Sequence, residues 1–326
     1  MHEIYAAVDL GSHSFHLLIA RVREANFNVL DRLREPVRLA AGLDADGVIG
    51  PSARKRALTC LARFGERLEG LPAERVRAVG TNTLRRAANA DAFRRVAEDA
   101  LGHPIKVLTG AEEARLIYSG VAWGLPHGSE TRLLADIGGG STEVVIGRGA
   151  ETHAMVSLPL GCVMFTERYF PDGRLGKRAW QDAVERAKRE VRYCEAEFGQ
   201  ADWQRAIGSS GTVRAVQKVI AAEGWGNYTI TRDGLQRLGN ALRDAKDLPR
   251  LKLSGLGTRR RTVFPGGVAI LTALFEVLDI EKMEVSDTAL REGLLMDFIQ
   301  GPAFAAEFRS DSELRINSCW ATTGSP

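Results

Sequence analysis

The sequence predicts an α/β protein built from two domains. Segments rich in β-branched residues alternate with amphipathic helical segments, which is the pattern of α/β folds. The 326 residues exceed the usual length of one compact domain, and 44% apolar residues are enough for two large cores. A strand, turn, strand pattern also occurs twice, at an interval the size of a domain.

This duplicated pattern is the main clue to the domain organisation. In each copy an aspartate, Asp9 or Asp136, ends the first strand and a glycine-rich turn follows it. We therefore expect each copy to open one domain, in the manner of an internal repeat. The two copies span residues 4–22 and 133–146, with their turns at residues 11–14 and 138–142.

The remaining elements follow from hydrophobic spacing and from cap and turn residues. A linker at residues 125–130 places the domain boundary near residue 125, and the polar tail at 309–326 is expected to be loosely ordered. Helices are predicted at 51–68, 87–100, 111–121, 174–198 and 288–299, short strands at 76–79 and 105–108, and a strand-to-helix transition at 206–212.

Composition narrows the function classes. No apolar run approaches the ~20 residues that span a bilayer, and the chain enters its first strand directly, so we expect a cytoplasmic protein that does not bind membranes. The four cysteines are widely separated, which predicts neither a zinc site nor a disulfide framework. The net charge of +3 is close to neutral and does not indicate a nucleic-acid-binding protein. Two basic clusters, at 32–38 and 250–261, could attract a smaller polyanion or simply face solvent.

The second glycine-rich turn has the composition of an anion site. Consecutive glycines let several backbone N–H groups converge on one anion, although glycine-rich hairpin turns also occur without any ligand. The flanking carboxylates, Asp136 and Glu143, would repel phosphate and more plausibly meet a cation or a water molecule. The predicted donors are the N–H groups of Gly138, Gly139 and Gly140 and the hydroxyls of Ser141 and Thr142.

Two further segments could complete a phosphate site. The first turn would face the second one, and a third segment places glycines and hydroxyls before a helix, whose N-terminus offers more N–H donors. The segments have neither the Walker sequence nor the GxGxxG fingerprint, which excludes the P-loop and Rossmann interpretations. The residues concerned are Gly11, Ser12, His13 and Ser14 in the first turn, and Gly208, Ser209, Ser210 and Gly211 in the third segment.

Six motifs together resemble the exopolyphosphatase and guanosine pentaphosphate phosphatase family. They are VDLGSHSFHLLIA at 8–20, GTNTLR at 80–85, TGAEEARLI at 109–117, DIGGGSTE at 136–143, GSSG at 208–211 and SDTALREG at 286–293. The resemblance implies two ribonuclease-H-like domains of the actin, Hsp70 and sugar-kinase superfamily, with the active site in the cleft between them. Domain I would comprise residues 1–125 and 297–326, with the helix from Thr288 packing back on the N-terminal half, and domain II residues 126–296.

The chain departs from the family pattern at three places. His13 stands where asparagine is usual, Thr288 where glycine is usual, and the tail after residue 303 matches no family segment. An imidazole can still donate one hydrogen bond to phosphate, so His13 is expected to alter pH sensitivity more than activity. The helical C-terminal half of many relatives does not follow, so the chain resembles the short, two-domain members.

The resemblance also implies roles for the site residues. Glu113 would activate the attacking water, although its sequence position suits a helix N-terminal carboxylate equally well, as for Glu112. Glu143 would orient water or a divalent ion. The resemblance places Asp136, Glu143 and Asp9 at Mg²⁺, and Arg85, Arg260, Asn82 and Thr83 at the phosphates.

The leading functional hypothesis is removal of terminal phosphate from inorganic polyphosphate, and the alternative is 5′-phosphate removal from guanosine pentaphosphate. Polyphosphate would need a basic exit path, for which Arg250, Lys252 and 259–261 are candidates. A kinase of the same fold, with residues 264–267 near an adenosine, and a non-catalytic sensor are the other hypotheses. The resemblance further suggests a homodimer.

Overall fold

The computed structural model describes residues 3–23, 26–126, 128–198 and 202–307. Two β-sheets with surrounding helices form the described chain, which confirms the predicted α/β class. The tail at 309–326, expected to be loosely ordered, lies outside the described residues. None of the described helices is both long and apolar enough to cross a membrane.

The first sheet has the strand order β3-β2-β1-β4-β5. β2 pairs antiparallel with both β1 and β3, whereas β4 is parallel to β1 and β5 is parallel to β4. The strands are β1 (Glu3–Leu10), β2 (Phe15–Arg23), β3 (Asn26–Glu35), β4 (Val76–Gly80) and β5 (Ile105–Val107).

The second sheet repeats this order, with one strand added at its edge, as β8-β7-β6-β9-β11-β10. β7 pairs antiparallel with β6 and β8, whereas β9 is parallel to β6 and β11 is parallel to β9. The strands are β6 (Thr131–Ile137), β7 (Thr142–Arg148), β8 (Glu151–Leu158), β9 (Arg205–Ser209), β10 (Ile230–Thr231) and β11 (Lys282–Val285). The duplicated sequence pattern is therefore the first hairpin of each sheet, and two ribonuclease-H-like units are confirmed.

The described residues also form eleven α-helices, which lie around the two sheets. They are α1 (Pro51–Leu68), α2 (Asn82–Arg86), α3 (Ala90–Leu101), α4 (Gly110–Trp123), α5 (Cys162–Tyr169), α6 (Lys177–Phe198), α7 (Ser210–Ala222), α8 (Arg232–Ala245), α9 (Thr258–Arg261), α10 (Phe264–Val277) and α11 (Leu290–Glu307). Short 3₁₀ turns lie at Ala40–Gly42, Ala73–Arg75 and Pro171–Gly173.

Three apolar clusters hold these elements together. One packs α1 and α3 against the first sheet, and a larger one packs α6, α7, α8 and α10 against the second. The third joins side chains of both sheets to α4 and α11, for example Leu18 and Leu134 with Tyr118 and Leu295. The two units are therefore connected by this third buried cluster.

The helices α4 and α11 cross with their backbones in contact. A Cβ atom on Gly120 would lie 2.6 Å from the backbone nitrogen of Gly293, so no side chain fits at this crossing. α11 also packs against β1 and β2. The crossing places the first turn of α11 against the middle of α4, at Leu116 and Gly120.

Several predicted boundaries were wrong by a few residues. The last helix begins at Leu290 instead of Thr288, because the Ser286 hydroxyl bonds to Thr288 and holds that segment in a turn. The helix also continues beyond the predicted end, to Glu307. The helices predicted from 87 and 174 begin at Ala90 and Lys177. The domain boundaries near residues 125 and 297 stay predictions.

Candidate active site

The turns that follow Asp9 and Asp136 meet across the interface between the two units. A Cβ atom on Gly140 would lie 2.9 Å from Ser12 Oγ, and one on Gly139 would lie 3.2 Å from the backbone nitrogen of His13. Glycine is therefore needed at these positions because the turns approach so closely, and their φ angles lie outside the left-handed region. The predicted face-to-face arrangement of the turns is present.

A cavity of ≈140 Å³ lies between the turns. One water needs ~10–15 Å³ of such space, so the cavity has room for a tetrahedral anion with several waters. Most of the predicted site residues line it: Asp9, Gly11, Ser12, His13, Ser14, Glu113, Asp136, Gly138, Gly139, Gly140, Ser141, Ser210, Gly211 and Arg260.

Other predicted residues support the wall of the cavity from behind. The Thr83 hydroxyl donates to Ser12 Oγ at 2.8 Å, and the Ser209 hydroxyl donates to an Asp136 carboxylate oxygen. The amide of Asn82 lies against Gly140, where a Cβ would be 3.0 Å from Asn82 Cγ. These side chains orient groups that line the cavity, and phosphate binding by them stays a prediction.

Two predicted phosphate ligands face away from the cavity. The Thr142 hydroxyl is fully buried and donates to the Leu160 carbonyl at 2.6 Å. Gly208 lies inside β9, where a Cβ would be 2.6 Å from Val213 Cγ1, so tight packing alone accounts for a glycine there. In the described structure neither the Thr142 hydroxyl nor Gly208 lines the cavity.

The two glutamates in the first turn of α4 have different contacts and therefore different roles. Glu112 forms a capping box with Thr109, with 3.1 Å from the Glu112 nitrogen to Thr109 Oγ1, and its carboxylate also pairs with Lys106 at 2.6 Å. Glu113 is buried and lines the cavity, where its Oε2 accepts from Arg85 at 2.6 Å. Glu112 therefore stabilises the helix end, and Glu113 is the glutamate available for chemistry.

Arg85 does not line the cavity, contrary to what its predicted phosphate contact requires. Its Nη1 is shared between Glu113 and the Leu108 carbonyl, the latter at 3.0 Å. A guanidinium fixed in this way holds the Glu113 carboxylate in one orientation. Direct contact between Arg85 and substrate stays a prediction.

Four carboxyl groups lie behind and around the cavity: Glu113, Asp136 and Glu143 are buried, and Asp9 is partly buried, with its Oδ1 atom out of contact with solvent. Burial, with the charge of Glu113 next, raises the pKa of Asp9 to about 7. Burial likewise raises the pKa values of Glu113 and Asp136, against the opposing effects of Arg85 and Ser209 respectively. Glu143 lies opposite Asp136 in the β6–β7 register, accepts from Ser157 Oγ at 2.7 Å, and has a pKa well above its usual range. This part of the site favours a bound cation.

The carboxylates fit a magnesium ion better than a metal held entirely by protein. Asp9 Oδ1 is buried without a hydrogen-bond partner in the described structure, and Asp136 lines the same cavity. Among the described residues, no group of three or more acidic, histidine or cysteine side chains is arranged to hold a metal ion. Mg²⁺ is usually bound by one or two carboxylates with water and substrate phosphates, which matches Asp9 and Asp136. The prediction that Glu143 also binds the metal remains untested.

Four arginines also line the cavity, and sequence reasoning missed three of them. Arg34, Arg214 and Arg291 join the predicted Arg260 there. Burial and the neighbouring charges of Arg260 and Arg214 lower the pKa of Arg34 to about 10. The electrostatic repulsion between these guanidinium groups is offset when an anion binds between them. His16 also lines this wall and was also missed.

The structure resolves the register of the three consecutive arginines in α9. Arg260 lines the cavity, Arg259 is exposed, and Arg261 turns away to donate to the Leu251 carbonyl. Burial lowers the pKa of Arg260, as expected for a guanidinium held inside the protein. The predicted choice of Arg260 therefore agrees with the geometry.

His13 is held neutral. Burial, followed by the charges of Arg260, Arg34 and Arg38, lowers its pKa to about 4. The expectation that His13 alters pH sensitivity stays a prediction. A neutral imidazole still offers one N–H to a bound phosphate.

Ser210 has strained backbone geometry at the cavity wall. Its φ angle is 91°, in the region that favours glycine, and its hydroxyl accepts from the backbone nitrogens of Thr212 at 3.1 Å and Val213 at 3.3 Å. These bonds satisfy two N–H groups in the first turn of α7. Strain of this kind is commonly retained where a loop must meet a ligand.

Solved structures of known relatives share the fold. An exopolyphosphatase from Cytophaga hutchinsonii has a TM-score of 0.82 and 23% identity, covering 92% of this chain and 98% of that chain. The Ppx/GppA enzyme of Aquifex aeolicus has a TM-score of 0.74 and 24% identity, covering 91% and 100%. At these identities the comparison shows the fold alone.

Sequence comparison gives the family. A protein of Vibrio vulnificus called guanosine-5′-triphosphate,3′-diphosphate pyrophosphatase is 43% identical over 296 residues, which are 91% of this chain and 59% of the relative. The chain thus spans less than two thirds of that relative's length. The profile of the Ppx/GppA phosphatase family matches residues 18–300, which is most of the sequence. This chain belongs to the Ppx/GppA phosphatase family.

Proposed function

We propose that the chain hydrolyses the terminal phosphoanhydride bond of a phosphate chain. The observation that carries this proposal is that Glu113 and four arginines line one cavity between two facing glycine turns. The turns and arginines suit the charged oxygens of a phosphoryl group, and the glutamate suits a water molecule.

In the proposed mechanism a water molecule attacks the terminal phosphorus and the anhydride P–O bond breaks. The Glu113 carboxylate takes the proton of the water, while Arg85 keeps the carboxylate in place. Arg260 and the backbone N–H groups of the turns stabilise the charge that spreads over the phosphoryl oxygens. A Mg²⁺ ion held by Asp9 and Asp136 would supply further neutralisation of that charge.

Two substrates are consistent with this chemistry. Inorganic polyphosphate is one candidate, because the turns and arginines that line the cavity suit phosphoryl oxygens and polyphosphate has no nucleoside to accommodate. Guanosine pentaphosphate is supported at least as well, because the 43% identical Vibrio relative is called guanosine-5′-triphosphate,3′-diphosphate pyrophosphatase. A homodimer and a cytoplasmic location are further parts of the proposal, and sedimentation and fractionation would test them.

The kinase hypothesis loses its main support. Residues Phe264, Pro265, Gly266 and Gly267 are buried at the start of α10, and a Cβ on Gly266 would lie 2.6 Å from the backbone nitrogen of Thr166. An adenosine cannot reach backbone that is packed in this way. The sensor hypothesis would leave Glu113 in the cavity without a function.

The deciding experiment measures phosphate release from long-chain polyphosphate and from guanosine pentaphosphate side by side, with and without Mg²⁺. Release from one or both substrates would support the proposal and rank the two. Transfer of phosphate from ATP to an acceptor, with no release from either substrate, would contradict it.

We expect kcat/KM to fall on the acidic side because Glu113 must be ionised to accept a proton. Its raised pKa places this acidic limb at higher pH than for an exposed glutamate, and below the limb the rate should fall about tenfold per pH unit. Since the charge of Arg85 lowers the pKa of Glu113, Arg85→Gln should move the limb to still higher pH. A pH profile at saturating Mg²⁺ tests this, and an unmoved limb with a raised KM would instead indicate that Arg85 binds phosphate.

We expect Asp9→Asn to raise the Mg²⁺ concentration needed for half-maximal activity by at least about tenfold, because one of two anionic ligands is lost. A Mg²⁺ titration of phosphate release measures the shift, and binding of Mn²⁺ followed by electron paramagnetic resonance gives a readout that does not depend on turnover. Unchanged metal affinity in both measurements would remove Asp9 from the metal site.

A further inference from the structure

A basic stripe leaves the cavity along the exposed face of α7. Ser210 and Arg214 line the cavity, and Lys218 follows one helical turn later on the same face and is exposed. At ~1.5 Å per residue, Lys218 lies roughly 12 Å along the helix from Ser210. The stripe therefore continues the positive wall of the cavity towards the surface.

The stripe ends at a second cavity, of ≈470 Å³. Lys252, Ser254 and Arg261 line it, together with Glu223 and three leucines of the same loop. The loop packs directly on α7 beside Lys218, because a Cβ on Gly255 would lie 2.7 Å from the Lys218 carbonyl oxygen. Lys218 thus lies between the two cavities.

The charges along this route are available to a ligand. Within the described part of the chain neither Lys218 nor Lys252 forms an ion pair, and Arg261 Nε is buried without a hydrogen-bond partner. Glu223 is engaged by the backbone nitrogen of Ser254. That hydrogen bond does not remove the charge of Glu223, so the net positive charge of the route depends on Lys218, Lys252 and Arg261.

Two ion pairs show which arginines belong to this route. The charge of Arg214 is only partly offset by Asp287, which is 94% exposed and 3.5 Å from Arg214 Nη1. Arg250, which the sequence suggested for an exit path, pairs instead with Asp247 at 3.2 Å and is not part of the route.

We propose that the exposed face of α7 and the second cavity bind the distal part of a linear polyphosphate chain whose terminal phosphate is in the active site. This inference rests on the proposed function and adds where the rest of the substrate lies. A polyanion with a charge on every phosphate matches cations that follow one another from Arg214 through Lys218 to Lys252, the last two of which form no ion pair in the described part of the chain. A short substrate such as tripolyphosphate fills only the active-site cavity, because Glu223 at the far end of α7 is roughly 20 Å from Ser210.

The test compares long-chain polyphosphate with tripolyphosphate in the double variant Lys218→Glu/Lys252→Glu. We expect KM for the long chain to rise by about tenfold or more, and its salt dependence to weaken, as for other polyanion complexes that lose cationic contacts. Kinetics with tripolyphosphate should stay within about twofold of wild type, since the active-site cavity is untouched.

A matched control carries the same change of charge away from the route. Lys55 on α1 and Arg95 on α3 are exposed and line neither cavity, so Lys55→Glu/Arg95→Glu should leave both substrates unaffected. An equal rise in KM for both substrates, or for both double variants, would overturn the inference. Unchanged long-chain kinetics in the test variant would overturn it while leaving the proposed hydrolysis intact. A wild-type protein that releases phosphate from guanosine pentaphosphate but not from polyphosphate would also overturn this inference alone, whereas one that releases phosphate from neither substrate would remove both.

Discussion

Replacing Glu113 with glutamine is expected to lower kcat by at least ~10²-fold while leaving polyphosphate binding close to that of the wild type. Glutamine keeps the size of the side chain and can still accept a hydrogen bond from Arg85, but it cannot take a proton from water. The loss should therefore appear in turnover instead of affinity. Single-turnover phosphate release together with equilibrium binding of polyphosphate would separate the two quantities.

The neighbouring glutamate provides a matched control. Glu112→Gln preserves the capping box, because glutamine can also accept from the Thr109 nitrogen, and it changes the charge of the same helical turn by the same amount. We expect its kcat to stay within about threefold of wild type, since Glu112 does not line the cavity. Equal losses in the two variants would indicate a general effect of charge at the start of α4 and would remove Glu113 from the role of base.

The two glutamates show which features of the site can be predicted from the sequence and which depend on packing. The residue pattern predicts a helix there and a carboxylate at its N-terminus, but the direction of each side chain depends on which face of α4 packs against the second sheet and α11. The structure answers this through Lys106, which binds Glu112 on the outside, and Arg85, which binds Glu113 on the inside. The family resemblance chose Glu113, and the packing supplies the physical reason.

The strands and turns next to the two glycine motifs were predictable because local sequence determines them. Arg34 was not, since it belongs to the edge strand β3, whose polar alternation was not recognised as a strand. Its arginine cluster was noted, yet only the pairing of β3 with β2 brings Arg34 to the cavity. Arg214 and Arg291 likewise depend on how α7 and α11 are placed by distant contacts. Of the three, only Arg291 lies within one of the six motifs, so the sequence offers no signal for Arg34 and Arg214 beyond their charge.

Carboxyl groups and guanidinium groups are both buried at the cavity, and burial disfavours the charged form of each. Carboxyl groups with raised pKa values and arginines with lowered pKa values line the same cavity. Each group is less stable as an ion than it would be in water, because burial removes its solvation. A bound cation and a bound phosphate would relieve both penalties at once. The residues that take part in the proposed reaction would therefore also contribute to binding the cation and the phosphate.

Replacing Arg260 with glutamine is expected to lower kcat/KM by ~10² to 10³, the usual effect of removing one preorganised donor from a developing oxyanion. Its guanidinium lies so close to Gly211 that a Cβ atom there would overlap it, so the side chain is held in the cavity before substrate arrives. Arg260→Lys should restore little activity, because an ammonium cannot donate in the bidentate fork.

The adjacent arginine makes this prediction specific. Arg259→Gln removes the same charge from the same helix, but Arg259 is exposed and does not line the cavity, so we expect at most about a threefold loss. Kinetics with tripolyphosphate at two salt concentrations distinguish a positioned donor from a long-range field. A contribution from the overall field would be screened by salt and would be similar for both arginines, whereas a donor in the cavity would persist at high salt. Equal, salt-sensitive losses would mean that α9 acts only through its charge and that Arg260 does not contact the phosphoryl group.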